Sequence, residues 1–382
     1  MRVKTLLLTT VLAAATALPA LADDAPKGIQ YGAVWTSDLS GVASGGLRRG
    51  GLMMHNLDLT ADWQGDTGWE AFGYVLDDFN GGLSPKYIGD AQVTSNIDTT
   101  PGLRLFEAWV RKTSADQRLT GTFGLINLNG IFDVQETGAL FLNASHGIGP
   151  DFSQCGPSIF PISALGAVAE WHANPRLTLR GAVFDAVPGD VNDDRRFAYF
   201  RLSDDEGAQI VAEAQYDLGD GPDAGRVKIG HWRNTVEAPR LDGTGTHPTS
   251  GTYGQVELTL SHEHDHPDQG LKAWVRAGVA DAQTQAIDAY AGGGLVYAGP
   301  FAHRDDDSIG LAFARAHFGE PFRTLTGPLA AETTWELSYR AALRPGLSLQ
   351  PDVQYVIHPS GDRSIKDALV VGLRLKLDLL AR

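Results

Sequence analysis

Apolar and polar residues alternate one for one in run after run along this chain, and the gaps between successive runs tend to alternate between short and long. The clearest run places Leu373, Leu375, Leu377 and Leu379 on one face and Arg374, Lys376 and Asp378 on the other. Only an extended strand separates the two sets, because its side chains point alternately to opposite faces while a helix would scatter them. Counting such runs predicts about sixteen strands, starting near 29, 51, 68, 103, 119, 164, 177, 208, 225, 251, 270, 292, 307, 333, 347 and 368.

The connections decide what those strands build. Those after the second, fourth, sixth, eighth and fourteenth runs are tight turns, such as Gln64-Gly65-Asp66-Thr67, Ala173-Asn174-Pro175-Arg176, Gly219-Asp220-Gly221-Pro222 and Pro345-Gly346. Those after odd-numbered runs are mostly long and polar, as in 79–102, 127–163, 188–207 and 234–250. Tight turns on one rim and extended loops on the other mark a transmembrane antiparallel β-barrel. Each run also has about the 9–11 residues that a tilted strand needs to cross a bilayer, and closure pairs every backbone group without leaving an edge in lipid. Trp63, Trp69, Trp171 and Tyr216 flank the tight turns, where an interfacial aromatic girdle belongs. An even strand number places both termini in the periplasm.

The first 22 residues read as a secretory signal, with Arg2 and Lys4 before an apolar stretch and Ala20-Leu21-Ala22 before Asp23. The barrel is then assigned to 23–382, in the outer membrane of a Gram-negative bacterium. Without Arg2 and Lys4 the formal charge moves from 31 − 46 = −15 to 29 − 46 = −17, which argues against nucleic acid as a partner. The single cysteine, Cys155, excludes an internal disulfide. No later stretch is long and apolar enough for a spanning helix.

With apolar side chains facing lipid, parity assigns the lumen. Phe106, Ala108 and Val110 are expected to face outward, and Glu107, Trp109 and Arg111 inward. The same rule sends Glu170, Arg180, Glu213, Arg226, Lys228, Trp232, Glu257, Trp274 and Arg276 inward, followed by Glu336, Arg340, Arg374 and Lys376. A lumen with charges of both signs and several indole rings suits sugars: hydroxyls exchange hydration for bonds to Arg and Glu, and pyranose C–H faces lie on aromatic rings. Charged linings also serve general-diffusion porins, so parity does not choose a solute. A barrel of this size encloses a water channel, and selectivity then needs a constriction. Its expected supplier is the 127–163 segment, long and unusually apolar for an exposed loop, with Phe132, Leu140, Phe141, Ile148, Phe152, Ile159 and Phe160.

Other chemistries fit less well. His262-Glu263-His264-Asp265-His266 satisfies the zinc-protease pattern, but it follows an alternating run and stops at Pro267, so it reads as a strand end entering a solvated turn; no metal is assigned. Ser145, His146 and Asp151 are near one another in sequence, but no G-x-S-x-G elbow accompanies them and no enzymatic role is assigned. No cofactor motif is present either: Gly292-Gly293-Gly294 opens a strand. Asp193-Asp194 and Asp305-Asp306-Asp307 read as solvated loop or turn charge.

The run from Phe141 to Pro161, FLNASHGIGPDFSQCGPSIFP, resembles the signature of the carbohydrate-selective porin (OprB) family. Similar pieces extend over nearly the whole chain: Gly68-Trp69-Glu70-Ala71, Phe106-Glu107-Ala108-Trp109, Lys228-Ile229-Gly230-His231-Trp232 and Gln350-Pro351-Asp352-Val353-Gln354-Tyr355. The resemblance implies a sixteen-stranded barrel that passes glucose and related monosaccharides by an inward-folded loop. On that loop Asn143, Ser145, His146, Asp151, Phe152 and Gln154 become candidate constriction residues. Outer-membrane lipid, lipopolysaccharide and the barrel-assembly machinery are the implied partners; a homotrimer is neither required nor excluded by the sequence. One departure is the ending Leu380-Ala381-Arg382, where such barrels commonly finish on an aromatic residue that the assembly machinery reads.

Overall fold

The computed structural model describes residues 28–189, 197–198, 206–219, 224–264, 266, 269–327 and 329–380. The 1–22 segment, Asp193-Asp194, Asp220 to Pro222 and Asp265 lie outside the described residues. Sixteen strands follow one another: β1 (Gly28–Gly46), β2 (Gly50–Gln64), β3 (Trp69–Phe79), β4 (Gly102–Thr113), β5 (Leu119–Ile126), β6 (Ala164–Asn174), β7 (Leu177–Asp185) and β8 (Ala208–Asp217). The second half comprises β9 (Arg226–Pro239), β10 (Thr246–His262), β11 (Gly270–Ala280), β12 (Ile287–Ala298), β13 (Ser308–Phe318), β14 (Ala331–Arg344), β15 (Leu347–Ile357) and β16 (Lys366–Asp378). Each pairs antiparallel with its sequence neighbours, and β1 pairs with β16 to close the barrel. Among the described residues no helix is long and apolar enough to cross a membrane.

Side-chain direction follows the alternation. On β16 Val371 and Leu373 are exposed on the outer wall, while Arg374 turns in and donates through Nε to Asp38 Oδ1 of β1 at 2.7 Å. Trp63, Trp69, Trp171 and Tyr216 are exposed beside the tight turns, as an interfacial girdle requires.

Three expectations change. The β3–β4 ladder shifts register between Tyr74 and Val75, so β4 carries an extra residue and Phe106, expected outside, is buried edge-on against Tyr74, with centroids 5.1 Å apart. A bulge inverts parity locally, which no periodicity count can see. The 234–250 stretch, expected as a loop, is mostly strand: β9 continues to Pro239 and β10 begins at Thr246. Ladder hydrogen bonds come from the backbone, so the hairpin persists beyond the apolar band that the sequence pattern reports. Long and short connections also alternate less strictly than expected, since only residues 47–49 join β1 to β2.

The acidic run before β13 differs in one residue: Asp305 and Asp306 are exposed, but Asp307 is not. Asp307 is buried, accepts from Arg304 Nε at 2.7 Å and from the Ala342 N–H at 2.9 Å, and also bonds the Tyr339 hydroxyl. It staples a turn to its neighbouring strand instead of being solvated. β10 does end at His262, and the Glu263 N–H after it bonds Gln269 O at 3.1 Å.

Candidate functional site

The interior of the barrel is occupied by its own loops. The 127–163 segment folds inward through four short helical turns, at Leu128–Gly130, Thr137–Leu140, Ala144–His146 and Pro150–Ser153. Its apolar residues, which would be costly in water, become the core: Leu128, Phe132 and Phe152 pack with Trp109, Val168, Phe184, Trp232 and Tyr253 of the wall.

Arg276 of β11 is the main polar anchor. Its guanidinium bonds Asp133 (Nε–Oδ1 3.0 Å, Nη2–Oδ2 2.7 Å) and Asp151 (Nη1–Oδ1 2.5 Å), and all three side chains are fully buried. Tyr253 and Tyr290 flank the guanidinium with ring centroids 5.2 and 5.3 Å away. Space for this cluster depends on glycine, because a Cβ at Gly149 or Gly278 would strike Arg276 and Asp151. Burial pushes the Asp133 carboxyl up to about 6 even with Arg276 bound to it.

Wall carboxylates then hold the loop backbone. Glu336 accepts from the N–H groups of Leu142 at 2.5 Å and Asn143 at 3.1 Å, Glu213 from Asp133 N–H at 3.0 Å, and Glu257 from Thr137 N–H at 2.6 Å. Lys228 donates to Val134 O at 2.7 Å. Trp232 stacks on Phe152, 4.9 Å between centroids and 6° between planes. Gln154 bonds β12 twice, donating to Ile287 O at 2.5 Å and accepting from its N–H at 2.9 Å.

Several residues expected along a solute path are therefore loop anchors. Lys228, Trp232 and Arg276 face inward as parity requires, but loop contacts bury them. Asn143, His146, Asp151 and Phe152 are buried against the wall, and Ser145 is buried against the 80–101 segment. Periodicity assigns a side of the sheet, but it cannot tell whether water or a loop stands there. Ser145, His146 and Asp151 do not form a catalytic arrangement: Ser145 Oγ donates to Gln92 O at 3.4 Å and Asp151 is committed to Arg276. His146 sits between Phe141 and Trp274, with Nε2 3.5 Å from Glu336, and burial holds its imidazole down to about 3.

A second inward segment was not foreseen. The 80–101 connection, expected as an outer loop, also enters the barrel and bonds the first loop: Asn96 N–H donates to Leu142 O at 2.7 Å and Ala144 N–H to Val93 O at 2.9 Å. Glu332 accepts from the N–H groups of Ala91 at 2.8 Å and Gln92 at 3.1 Å, and Ser95 Oγ donates to Asp38 at 2.7 Å. Leu83, Ile88 and Ile97, apolar and buried in this segment, were the available signal. It is the same signal that identified 127–163.

Nearer the tight-turn rim Glu70, Phe72 and Arg180 are half-buried, while Trp109, Arg111 and Glu170 beside them are buried. Arg111 lies over the Trp109 ring at 4.4 Å, bonds Thr122 Oγ1 at 3.1 Å and pairs with Glu70 at 3.5 Å. Phe72 stacks on the other side of the group, 5.1 Å from Trp109. Next round the wall, Arg180 joins Glu170 at 2.5 Å, Glu213 at 3.0 Å and Gln215 at 3.0 Å. Glu107, buried between these groups and the loop, accepts from Trp109 Nε1 at 3.2 Å and Asn127 N–H at 3.1 Å.

The profile described as the carbohydrate-selective porin, OprB family, matches residues 65–379. Porin B of Pseudomonas aeruginosa is 24% identical over 357 residues, 81% of this chain and 77% of that protein. QuiX of Acinetobacter baylyi, a protein named as a putative porin, is 24% identical over 309 residues, 72% and 69% of the two chains. The high-pH structure of Pseudomonas putida OprB superposes with a TM-score of 0.81 at 20% identity, covering 92% of this chain and 94% of that one.

Proposed function

Because the chain belongs to the carbohydrate-selective porin (OprB) family and is an outer-membrane sugar porin, we propose that its solutes are monosaccharides such as glucose, crossing by passive diffusion. The observation that carries this reading is the inward wall group Glu70–Phe72–Trp109–Arg111, in which half-buried Glu70 and Phe72 lie against buried Arg111 and Trp109, beside an inward loop fixed by buried ion pairs. Charged donors and acceptors next to flat aromatic rings match a pyranose, whose hydroxyl edge needs hydrogen bonds and whose C–H face needs an apolar surface. A rigid bore sets the size limit, and the wall group discriminates among solutes that fit. Glu170 and Arg180 extend the polar path toward the tight-turn rim.

Residues 1–22 are assigned as the export signal. The exposed apolar belt supports contact with outer-membrane lipid and lipopolysaccharide, after insertion by the barrel-assembly machinery. Liposome swelling with glucose, arabinose and amino acids of matched size tests the function. Faster entry of the sugars is the expected outcome; rates that follow solute size alone make the protein a general-diffusion porin.

A further inference from the structure

Loop anchoring leaves one recess of the wall unexplained. It lies under the tip of the 127–163 loop, where β9, β10 and β11 approach the tight-turn rim, and has a volume of about 110 Å³. Its polar lining is Glu136 and Thr137 from the loop with Arg226, Glu257, Thr259 and Lys272 from the wall. The ladder sets this composition: Glu257 stands opposite Arg226 on one side and Trp274 on the other, and Thr259 opposite Lys272.

Glu257 uses only one of its oxygens for the loop. Oε1 accepts from Thr137, while Oε2 is buried without a hydrogen-bond partner. Both polar atoms of the Gln135 carboxamide and the Trp274 indole N–H are likewise buried and unpartnered. These two side chains meet around Gly138, where a Cβ would lie 3.2 Å from Gln135 Cβ and 3.5 Å from Trp274 Cε2. Of these groups Glu257 lines the recess itself, and an unpartnered buried oxygen on a cavity wall marks a place where something polar binds.

Charge selects the kind of occupant. Glu136 and Arg226 pair with each other at the recess, and Glu257 and Lys272 add one charge of each sign, so the recess is balanced and carries both donors and acceptors. An ion of either sign gains little there, whereas a neutral polyol satisfies both kinds of group. The recess has room for the hydroxyl-bearing edge of a ring.

We infer that this recess is a second sugar subsite, on the tight-turn side of the constriction, which takes the hydroxyl edge of a monosaccharide. A sugar hydroxyl donates to Glu257 Oε2, and its neighbours accept from the Lys272 ammonium and the Thr259 hydroxyl. The inference rests on the sugar-porin reading above and adds a holding point on one side of the bore. Sugar arriving from the tight-turn side reaches it without crossing the constriction.

Single-channel recording of the full mature chain in planar bilayers, with D-glucose added to one face at a time, tests it. In the wild type, glucose from the tight-turn face should half-saturate the current block at the lower concentration. Thr259→Val and Lys272→Met should each raise that value about tenfold, while shifting the opposite-face value less than twofold. Equal shifts from both faces, or none, overturn the subsite and leave the sugar-porin reading standing. Absence of block from either face in the wild type overturns both. Should the variants fail to assemble, a crystal of the wild type grown with D-glucose decides: sugar in the recess supports the inference, and water alone overturns it.

Discussion

Arg276 shows how much a single residue carries in this molecule. Its charge is fully buried and balanced by Asp133 and Asp151, both from the loop. Breaking a buried pair by removing one partner costs about 3–5 kcal/mol, because the remaining charges stay desolvated and unpaired. Arg276→Met should therefore release the loop while leaving the barrel assembled, seen as larger and noisier single-channel conductance and as new protease cleavage within 127–163. Arg240, paired with Asp242 on an exposed outer turn, is the contrast: its alanine variant should match the wild type. His146 makes the docked loop sensitive to acid. Burial lowers its pKa to about 3 from the ordinary 6.5, so between those values the undocked loop binds the extra proton and docking weakens as pH falls. The slope is at most about 1.4 kcal/mol per pH unit for one proton. His146→Leu should flatten the pH dependence of conductance between about 6.5 and 3; an unchanged profile would assign that dependence to another group.

At the scale of elements, two segments fold into the barrel and hold each other. Residues 80–101 are tied to the wall through Glu332 and to the first loop through Asn96 and Val93. Excision of 137–156 should raise conductance, yet leave it below that of a barrel lacking both inserts, because the Glu332 contacts survive the first deletion. Equal conductance for the single and double deletions would show that 80–101 does not restrict the bore. Sequence reasoning found one of these elements and missed the other. The 127–163 segment stands out by its density of Phe and Ile, whereas Leu83, Ile88 and Ile97 are dispersed among polar residues and give a weaker signal of the same kind. Phe106 was misassigned for a different reason: its bulge is a property of the ladder with β3, which neither strand announces alone.

For the whole molecule, the governing constraint is an inside-out distribution of polarity around a sheet without edges. Leu373 and Arg374 are adjacent in sequence but belong to lipid and lumen respectively. Leu373→Arg should destabilise the barrel by about 2–4 kcal/mol if its position is near the bilayer midplane, read from denaturant unfolding in lipid vesicles. A change well under 1 kcal/mol would remove this face from the hydrocarbon. Closure between β1 and β16 extends from the Val34–Asp378 pair to the Gly46–Lys366 pair, so assembly depends on contacts between the two ends of the chain. Such distant pairing contributes only after the intervening loop entropy has been lost, and slow assembly follows from that topology.

The amino-acid sequence by itself determined the strand number, the closed antiparallel sheet and the side of the wall on which nearly every strand residue lies. A strand repeats every two residues and lipid imposes one polarity on one face, so those features are local and periodic. Tertiary structure alone decided that Lys228, Trp232 and Arg276 anchor a loop, that 80–101 enters the barrel, and that Glu70, Phe72, Trp109 and Arg111 gather on the wall. Those outcomes depend on which loop occupies which part of the interior. That is settled by ion pairs and packing between residues a hundred or more positions apart, such as Asp133 with Arg276 and Gln92 with Glu332, and no short-range pattern encodes them.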